Sequence, residues 1–162
     1  MINPSRQGLR SDRHINSILA RIISYISRCT VTVLHSAKSF NIAELQWRFA
    51  RDTLFLAHDS AGRVIGQAWI EDVGKDAYLY KLSVDPSIQG GGIGKALVEA
   101  ACAHAEKAGK ANMRLHVRVE LTGNIAFFKS RGFEIAGEGV HDGYDRTTFW
   151  KMARPLQMAK SA

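Results

Sequence analysis

Between Tyr78 and Gly94 the chain reads YLYKLSVDPSIQGGGIG, and few folds accommodate such a stretch. Leu79, Lys81, Ser83 and Asp85 alternate with Tyr78, Tyr80, Leu82 and Val84, the period-two pattern of a strand. Asp85-Pro86 ends it, because proline has no N–H for a ladder and Asp-Pro initiates turns. Gln89-Gly90-Gly91-Gly92-Ile93-Gly94 then leads into KALVEAACAHAEKAG, where Ile93, Leu97, Ala100, Ala101 and His104 keep helical spacing. Strand, glycine loop and helix N-terminus in succession make an anion site. The first-turn amides lack intrahelical partners and carry the positive end of the helix dipole.

The spacing excludes the common nucleotide loops. GxxxxGK[ST] would need glycine where Gln89 stands and Ser or Thr where Ala96 stands; GxGxxG from Gly90 would put its third glycine on Lys95. What fits is Q-x-x-G-x-G, here Gln89, Gly92 and Gly94, after a strand ending Val84-Asp85-Pro86. A glycine-rich turn alone is often only structural. With this strand end and the Arg131-Gly132-Phe133 sequence downstream, the chain resembles the GNAT family of N-acetyltransferases over roughly residues 53 to 153. The resemblance implies the acyl-CoA N-acyltransferase fold: an α/β domain with a mixed, mostly antiparallel central sheet, two splayed parallel strands and flanking helices. It implies acetyl-CoA as cosubstrate, with its pyrophosphate on the amides of Gln89, Gly90, Gly91, Gly92, Ile93, Gly94 and Lys95. Its pantetheine arm would pair with the open backbone of Leu82, Ser83 and Val84.

The 162 residues suit one domain, with 46% apolar and 23% charged residues, ordinary for a globular protein. No apolar run approaches the ~20 residues of a membrane helix. Cys29 and Cys102 are far apart and in no metal-type spacing, so a disulfide scaffold and a metal site are not expected, and a reducing, cytoplasmic setting is. The net charge is +7, of which +4 falls within residues 1–28, where five arginines face one acid. No aromatic-basic stacking pattern accompanies it, so a solvated basic segment is favoured over nucleic-acid binding. The segment's Arg and Ser content also resembles a transit peptide.

Residues 1–12 read as an irregular basic segment, 13–156 as one domain and 157–162 as a tail. Ile15, Ile18, Leu19, Ile22, Ile23 and Ile26 predict an amphipathic helix over Arg13–Ser27 with Ser11 or Asp12 as N-cap. Cys29–His35 alternates like a strand or serves as a connector, and Ile42–Arg51 is a second helix with Leu45 and Phe49 on one face. Thr53–His58 and Val64–Glu71 form a hairpin around Asp59-Ser60-Ala61-Gly62. Asn112–Glu120 is a strand joined to the central one by a helix of crossover length, hence parallel to it. Gly123–Arg131 is a helix ended by Gly132, and Phe133–Gly139 and Thr147–Met152 are the last two strands.

The chemistry implied by the resemblance is attack of a neutral primary amine on the thioester, with direct transfer in a ternary complex. The amine acceptor, small molecule or peptide, is not specified by the sequence. A backbone amide near Leu82–Val84 would stabilise the oxyanion. The family's thiolate acid is a tyrosine in [FL]-Y-x-x-x-G-F, and here that position is Phe128, in Phe127-Phe128-Lys129-Ser130-Arg131-Gly132-Phe133. Either the thiolate leaves unassisted or another group, with Tyr144 the candidate, supplies the proton. Asn124 opens the same helix, where a family asparagine contacts the cofactor and where a plain helix cap is the alternative. Candidate bases are Glu120, at the carboxyl end of its strand, then Glu71, Asp72 and His141. Aromatic residues on the acceptor side, Trp47, Trp69, Tyr144 and Trp150, either shape a pocket or pack in the core. A non-catalytic acetyl-CoA sensor is the rival that Phe128 encourages, and a homodimer is compatible with the family.

Overall fold

A computed structural model describes residues 2–5, 20–21 and 42–157, with side chains at 20–21 and from 46 onward. Apart from Ala20 and Arg21, which are helical, the helix expected over Arg13–Ser27 and the stretch Cys29–His35 lie outside the described residues. The elements are β1 (Ile2–Ser5), α1 (Ile42–Arg51), β2 (Thr53–His58), β3 (Val64–Val73), β4 (Asp76–Val84), a 3-10 turn (Pro86–Ile88), α2 (Ile93–Lys107), β5 (Asn112–Arg118), α3 (Thr122–Lys129), β6 (Glu134–Gly139) and β7 (Phe149–Pro155). The strands run in the order β1-β2-β3-β4-β5-β7-β6. β4 and β5 are parallel, whereas β1/β2, β2/β3, β5/β7 and β6/β7 are antiparallel. This is the mixed α/β sheet expected. One expectation is corrected: Ile2–Ser5, read as irregular, is a strand paired with β2. Backbone pairing at a sheet edge needs no hydrophobic alternation, and Pro4 is tolerated there because an edge strand leaves half its donors unpaired.

The chain divides into two compact units, Met1–Ile70 with Lys81–Ala101, and Glu71–Tyr80 with Cys102–Ala162. In the first, β2 and β3 bury Leu54, Phe55, Leu56, Ala68 and Trp69. The Trp69 ring meets Phe49 of α1 edge-on at 5.1 Å, and its indole N–H donates to Gln67 Oε1 at 3.2 Å. α2, which the division cuts after Ala101, buries Leu97, Val98 and Ala101 in this unit and Cys102 and Ala105 in the other. This stripe is rotated from the expected one, so His104 is only half-buried.

In the second unit β5 alternates as predicted, with Met113, Leu115 and Val117 buried and Arg114 and His116 exposed. Its register with β7 is continuous from Asn112↔Pro155 to Arg118↔Phe149. The buried Asp76 carboxylate, at the start of β4, accepts from Asn112 Nδ2 at 2.8 Å and Arg114 Nη2 at 2.7 Å. A buried carboxylate is costly without partners, and these two fix β5 against β4. α3 ends in a Schellman turn: Phe133 N–H donates to the Phe128 carbonyl and Gly132 N–H to that of Lys129, with Gly132 at φ 80°.

The boundary between the units cuts β4 at Tyr80/Lys81. Lys81 is the one described non-glycine residue with a positive φ, 51°. In that left-handed region the Cβ crowds the following carbonyl at a cost of ~1–2 kcal/mol. A β-branched residue is worse still. Lys81→Val is therefore expected to lower stability by ~1–2 kcal/mol beyond Lys81→Gly, which has no Cβ to crowd. Parallel urea melts of the two variants check the difference.

Candidate active site

The loop after β4 is built by short-range hydrogen bonds. Asp85 N–H donates to the Ile65 carbonyl of β3 at 2.9 Å, so the end of β4 stays in register with its hairpin partner. Asp85 Oδ1 accepts from Ser87 N–H at 3.0 Å and from Ser87 Oγ at 2.7 Å, and the Asp85 carbonyl accepts from Ile88 N–H at 3.1 Å. With Pro86 presetting φ, these contacts close the 3-10 turn. Gln89 Nε2 reaches back to the Val84 carbonyl at 3.2 Å.

Beyond Gln89 the chain passes through Gly90 at φ 89° and Gly92 at φ 79°, both favoured by glycine. A Cβ at either would meet nothing within 4 Å, so the exposed surface of the loop is open. Ala96 N–H donates to the Gly92 carbonyl at 3.0 Å, which makes Gly92 the N-cap of α2. The amides of Ile93, Gly94 and Lys95 are then the helix's first turn, and that turn holds no acidic side chain. Such an end attracts a phosphate group.

The position of α2 depends on a residue that the sequence reading passed over. A Cβ at Gly66 in β3 would stand 3.0 Å from Leu97 Cδ1, 3.2 Å from Ile93 Cγ2 and 3.3 Å from the Ser83 carbonyl oxygen. A side chain there would require these neighbours to give by a few tenths of an ångström, so glycine favours the close approach of the first turns of α2 to the hairpin. The signal available was a glycine inside the alternating strand VIGQAWIE, which marks close approach of another element.

In the second unit a row of rings crosses the exposed face of β4, β5 and β7. Tyr78 stacks on Tyr80 at 6.2 Å and meets His116 edge-on at 5.1 Å; His116 lies 4.7 Å from Phe149, and Phe149 lies 4.8 Å from His141. His141 is anchored by Thr148, which is buried. Its N–H donates to Thr148 Oγ1 at 2.8 Å, and its Nδ1 shares a 2.6 Å hydrogen bond with the same oxygen. Desolvation, then Lys151, then His141 hold the His116 pKa below its ordinary 6.5, favouring neutral imidazole. Desolvation, helped by Glu71, pushes the Tyr78 phenol up.

The other predicted site residues fall as follows. Leu82, Ser83 and Val84 occupy the end of β4 and are half-buried. Glu120 is exposed, two residues past the end of β5, 3.5 Å from Arg118 Nε. Glu71 is half-buried and Asp72 exposed in β3, and Asp72 holds an ion pair with Lys110. Tyr144 is 55% exposed in the β6–β7 loop. Phe128 is buried, with Phe127 and Phe133 rings edge-on at 5.1 and 5.6 Å. Asn124 does not open α3: the N-cap is Leu121, without a side-chain cap bond, and Asn124 is exposed at the third helical position. Of the acceptor-side aromatics, Trp69 is core, while Trp47 is 53% exposed beneath the Arg51 guanidinium. Trp150 is half-buried in β7. Among the described residues no group of three or more His, Cys, Asp or Glu gathers to hold a metal, and no helix is long and apolar enough to cross a membrane.

This strand–loop–helix arrangement has counterparts in known proteins. The profile of the Acetyltransferase (GNAT) family matches residues 20–133, and the chain belongs to that family. It is 36% identical over 102 residues to the [ribosomal protein bS18]-alanine N-acetyltransferase of Escherichia coli, covering 60% of this chain and 68% of that protein. The crystal structure of the ribosomal-protein-S18-alanine N-acetyltransferase from Escherichia coli superposes with a TM-score of 0.71 at 25% identity, over 98% of this chain and 96% of that one. The mycothiol acetyltransferase of Saccharomonospora viridis is 33% identical over 109 residues, 60% of this chain. The chain spans about a third of that relative's length (35%).

The histidines make stability pH-dependent. His116 and His58 both have folded pKa values below 6.5, His58 mainly through desolvation and Arg21. Between the folded value and 6.5 the unfolded chain binds more protons, so this contribution is complete above 6.5 and is lost as pH falls through the folded values. Asp59, lowered by its bonds to Arg63, acts only below 3.8. Urea midpoints are expected to drop between pH 7.5 and pH 5, and to drop less in the variant carrying His58→Gln and His116→Gln.

Proposed function

We propose that the protein transfers the acetyl group of acetyl-CoA to a primary amine by direct attack in a ternary complex, and that the amine is the α-amine of a peptide or protein. The observation that carries the first part is the loop at Gly90–Lys95, an open surface with two left-handed glycines leading into a helix end free of acids. The cosubstrate's pyrophosphate fits the amides from Gly90 to Lys95. Neither added side chains nor local carboxylates oppose it there. Gln89 supports this loop through Val84 and is assigned a bracing role. The Leu82–Val84 backbone, at the end of β4, is the segment assigned to run along the pantetheine arm and to present an N–H to the developing oxyanion.

The second part is supported by the likeness to the bS18-alanine acetyltransferase, 36% identical over 102 residues and superposing over 98% of this chain. Phe128, packed among rings, has no hydroxyl to protonate the thiolate. A thiol's ordinary pKa of ~8.5 makes unassisted departure tolerable. Tyr144 and Glu120 are retained as minor candidates for proton transfer. Their exposure places them in solvent, where a tyrosine or a carboxylate exerts little selectivity.

Calorimetric titration of acetyl-CoA tests the loop. Wild type is expected to bind, and the variant carrying Gly92→Asp and Gly94→Asp to lose at least ~100-fold in affinity, about 2.8 kcal/mol. Thermal melts establish that the variant is folded. Thiol release is then compared for a short peptide with free N-terminal alanine, the same peptide acetylated at its terminus, and spermidine. Transfer to the free peptide alone supports the α-amine reading. Binding without transfer to any amine favours a sensor, and absence of binding by folded wild type overturns both.

A further inference from the structure

We propose that Gly66 is a positioning residue for the cosubstrate: the missing side chain at this point of β3 sets where the first amides of α2 stand, and with them the affinity for acetyl-CoA. The role rests on the acetyl-CoA reading above, in which those amides hold the pyrophosphate. Every group it involves belongs to the first unit.

Two successive residues of β3 meet the two ends of the glycine loop. Ile65 offers its carbonyl to Asp85 N–H at 2.9 Å, where the loop begins. At Gly66 an added Cβ would stand 3.0 Å from Leu97 Cδ1, 3.2 Å from Ile93 Cγ2 and 3.3 Å from the Ser83 carbonyl oxygen. All three are tighter than ordinary van der Waals contact, and the neighbours differ in how they can give way. Leu97 Cδ1 is the end of a side chain with two rotatable bonds, although that side chain is fully buried. The Ser83 oxygen is backbone, and Asp85, two residues on, is held to Ile65. Ile93 transmits the push most directly. Its Cγ2 is bonded to Cβ, and a β-branched side chain in a helix has one strongly preferred χ1. A group pressed against Cγ2 therefore moves the Ile93 backbone.

Ile93 is the first residue of α2, and its N–H is one of the donors left without an intrahelical partner. A shift of a few tenths of an ångström there displaces a phosphate-binding group as well as a packing surface. The preceding loop does not resist the shift, since Gly90 and Gly92 are conformationally permissive.

Backbone conformation does not explain a glycine at position 66. Gly66 is absent from the described glycines with positive φ, so what it supplies is room. A glycine inside a strand weakens that strand. Sheet stability alone thus favours a side chain at this position, and close approach of the phosphate-binding turn favours none.

Binding and kinetics separate this role from a merely structural one. Gly66→Ala is expected to stay folded in thermal melts and to weaken acetyl-CoA binding ~10-fold by calorimetry, with Gly66→Val weaker still. With the peptide carrying a free N-terminal alanine, KM for acetyl-CoA should rise by that factor, while kcat and the KM for peptide stay within about threefold. Ile93→Ala removes Cγ2, so in that background Gly66→Ala should cost no more than about threefold in affinity. Gly137→Ala in β6, where a Cβ meets Lys151 Cδ at an ordinary 3.8 Å, is the control and should leave the KM for acetyl-CoA unchanged. If Gly66→Ala alone does not fold, the same measurements are made with Leu97→Val added, which removes Cδ1 and leaves the Ile93 contact in place. Folded Gly66→Ala that binds within about threefold of wild type, or that loses as much affinity in the Ile93→Ala background, overturns this role and leaves the transferase reading intact. Folded wild type that does not bind acetyl-CoA overturns that reading and this role together.

Discussion

How near a helix can come to a sheet is set by the side chains between them, and at Gly66 there is none. Leu97 and Ile93 crowd the space a Cβ would need, and the Ser83 carbonyl crowds it from the backbone. The first turn of α2 is thereby held on the same hairpin whose far end, through Asp85 and Ile65, fixes where the loop begins. Both ends of the glycine loop are tied to β3. Its exposed amides owe their fixed direction to that double attachment, since Gly90 and Gly92 by themselves are the most permissive residues in the chain. A glycine loop becomes a binding surface only when something else removes its freedom. Here the constraint comes from ordinary packing and turn hydrogen bonds.

The exposed strand face of the second unit is organised by a different physical effect. Tyr78, Tyr80, His116, Phe149 and His141 form a continuous row of rings over an otherwise cationic strand face. Partial burial and neighbouring cations act in the same sense on the imidazole, and each favours the neutral form. The Thr148 hydroxyl keeps His141 at the end of the row. The environment that keeps the His116 imidazole neutral makes the folded state poorer at tolerating a proton there.

Much of the fold was legible because its signals were local. The alternation in Asn112–Arg118, the Asp85-Pro86 stop, the glycine cluster and the Gly132 helix end each depend on a few adjacent residues, and each appears where it was expected. What escaped was decided across the chain. Ile2–Ser5 is a strand because β2 offers a free edge, not because INPS is strand-like. The buried stripe of α2 includes Val98, Cys102 and Ala105, which the expected stripe left out. Asn124 was read as opening α3, and the helix begins two residues earlier at Thr122, after an uncapped Leu121. His116 was seen only as a polar position in an alternating strand. Its ring neighbours come from β4 and β7, some 35 residues away on either side, and no spacing rule brings them together.

Gly139 shows how a missing atom can shape a surface. A Cβ there would overlap the Phe149 ring, so that ring occupies its place beside Gly139 only because position 139 carries hydrogen. The same ring separates His116 from His141. The distance between two titratable side chains thus depends in part on a residue that ionises at no pH. Enlarging it by one methyl group would tilt the ring and bring a different spacing, so that proton affinity on this face is written partly in sterics rather than in charge.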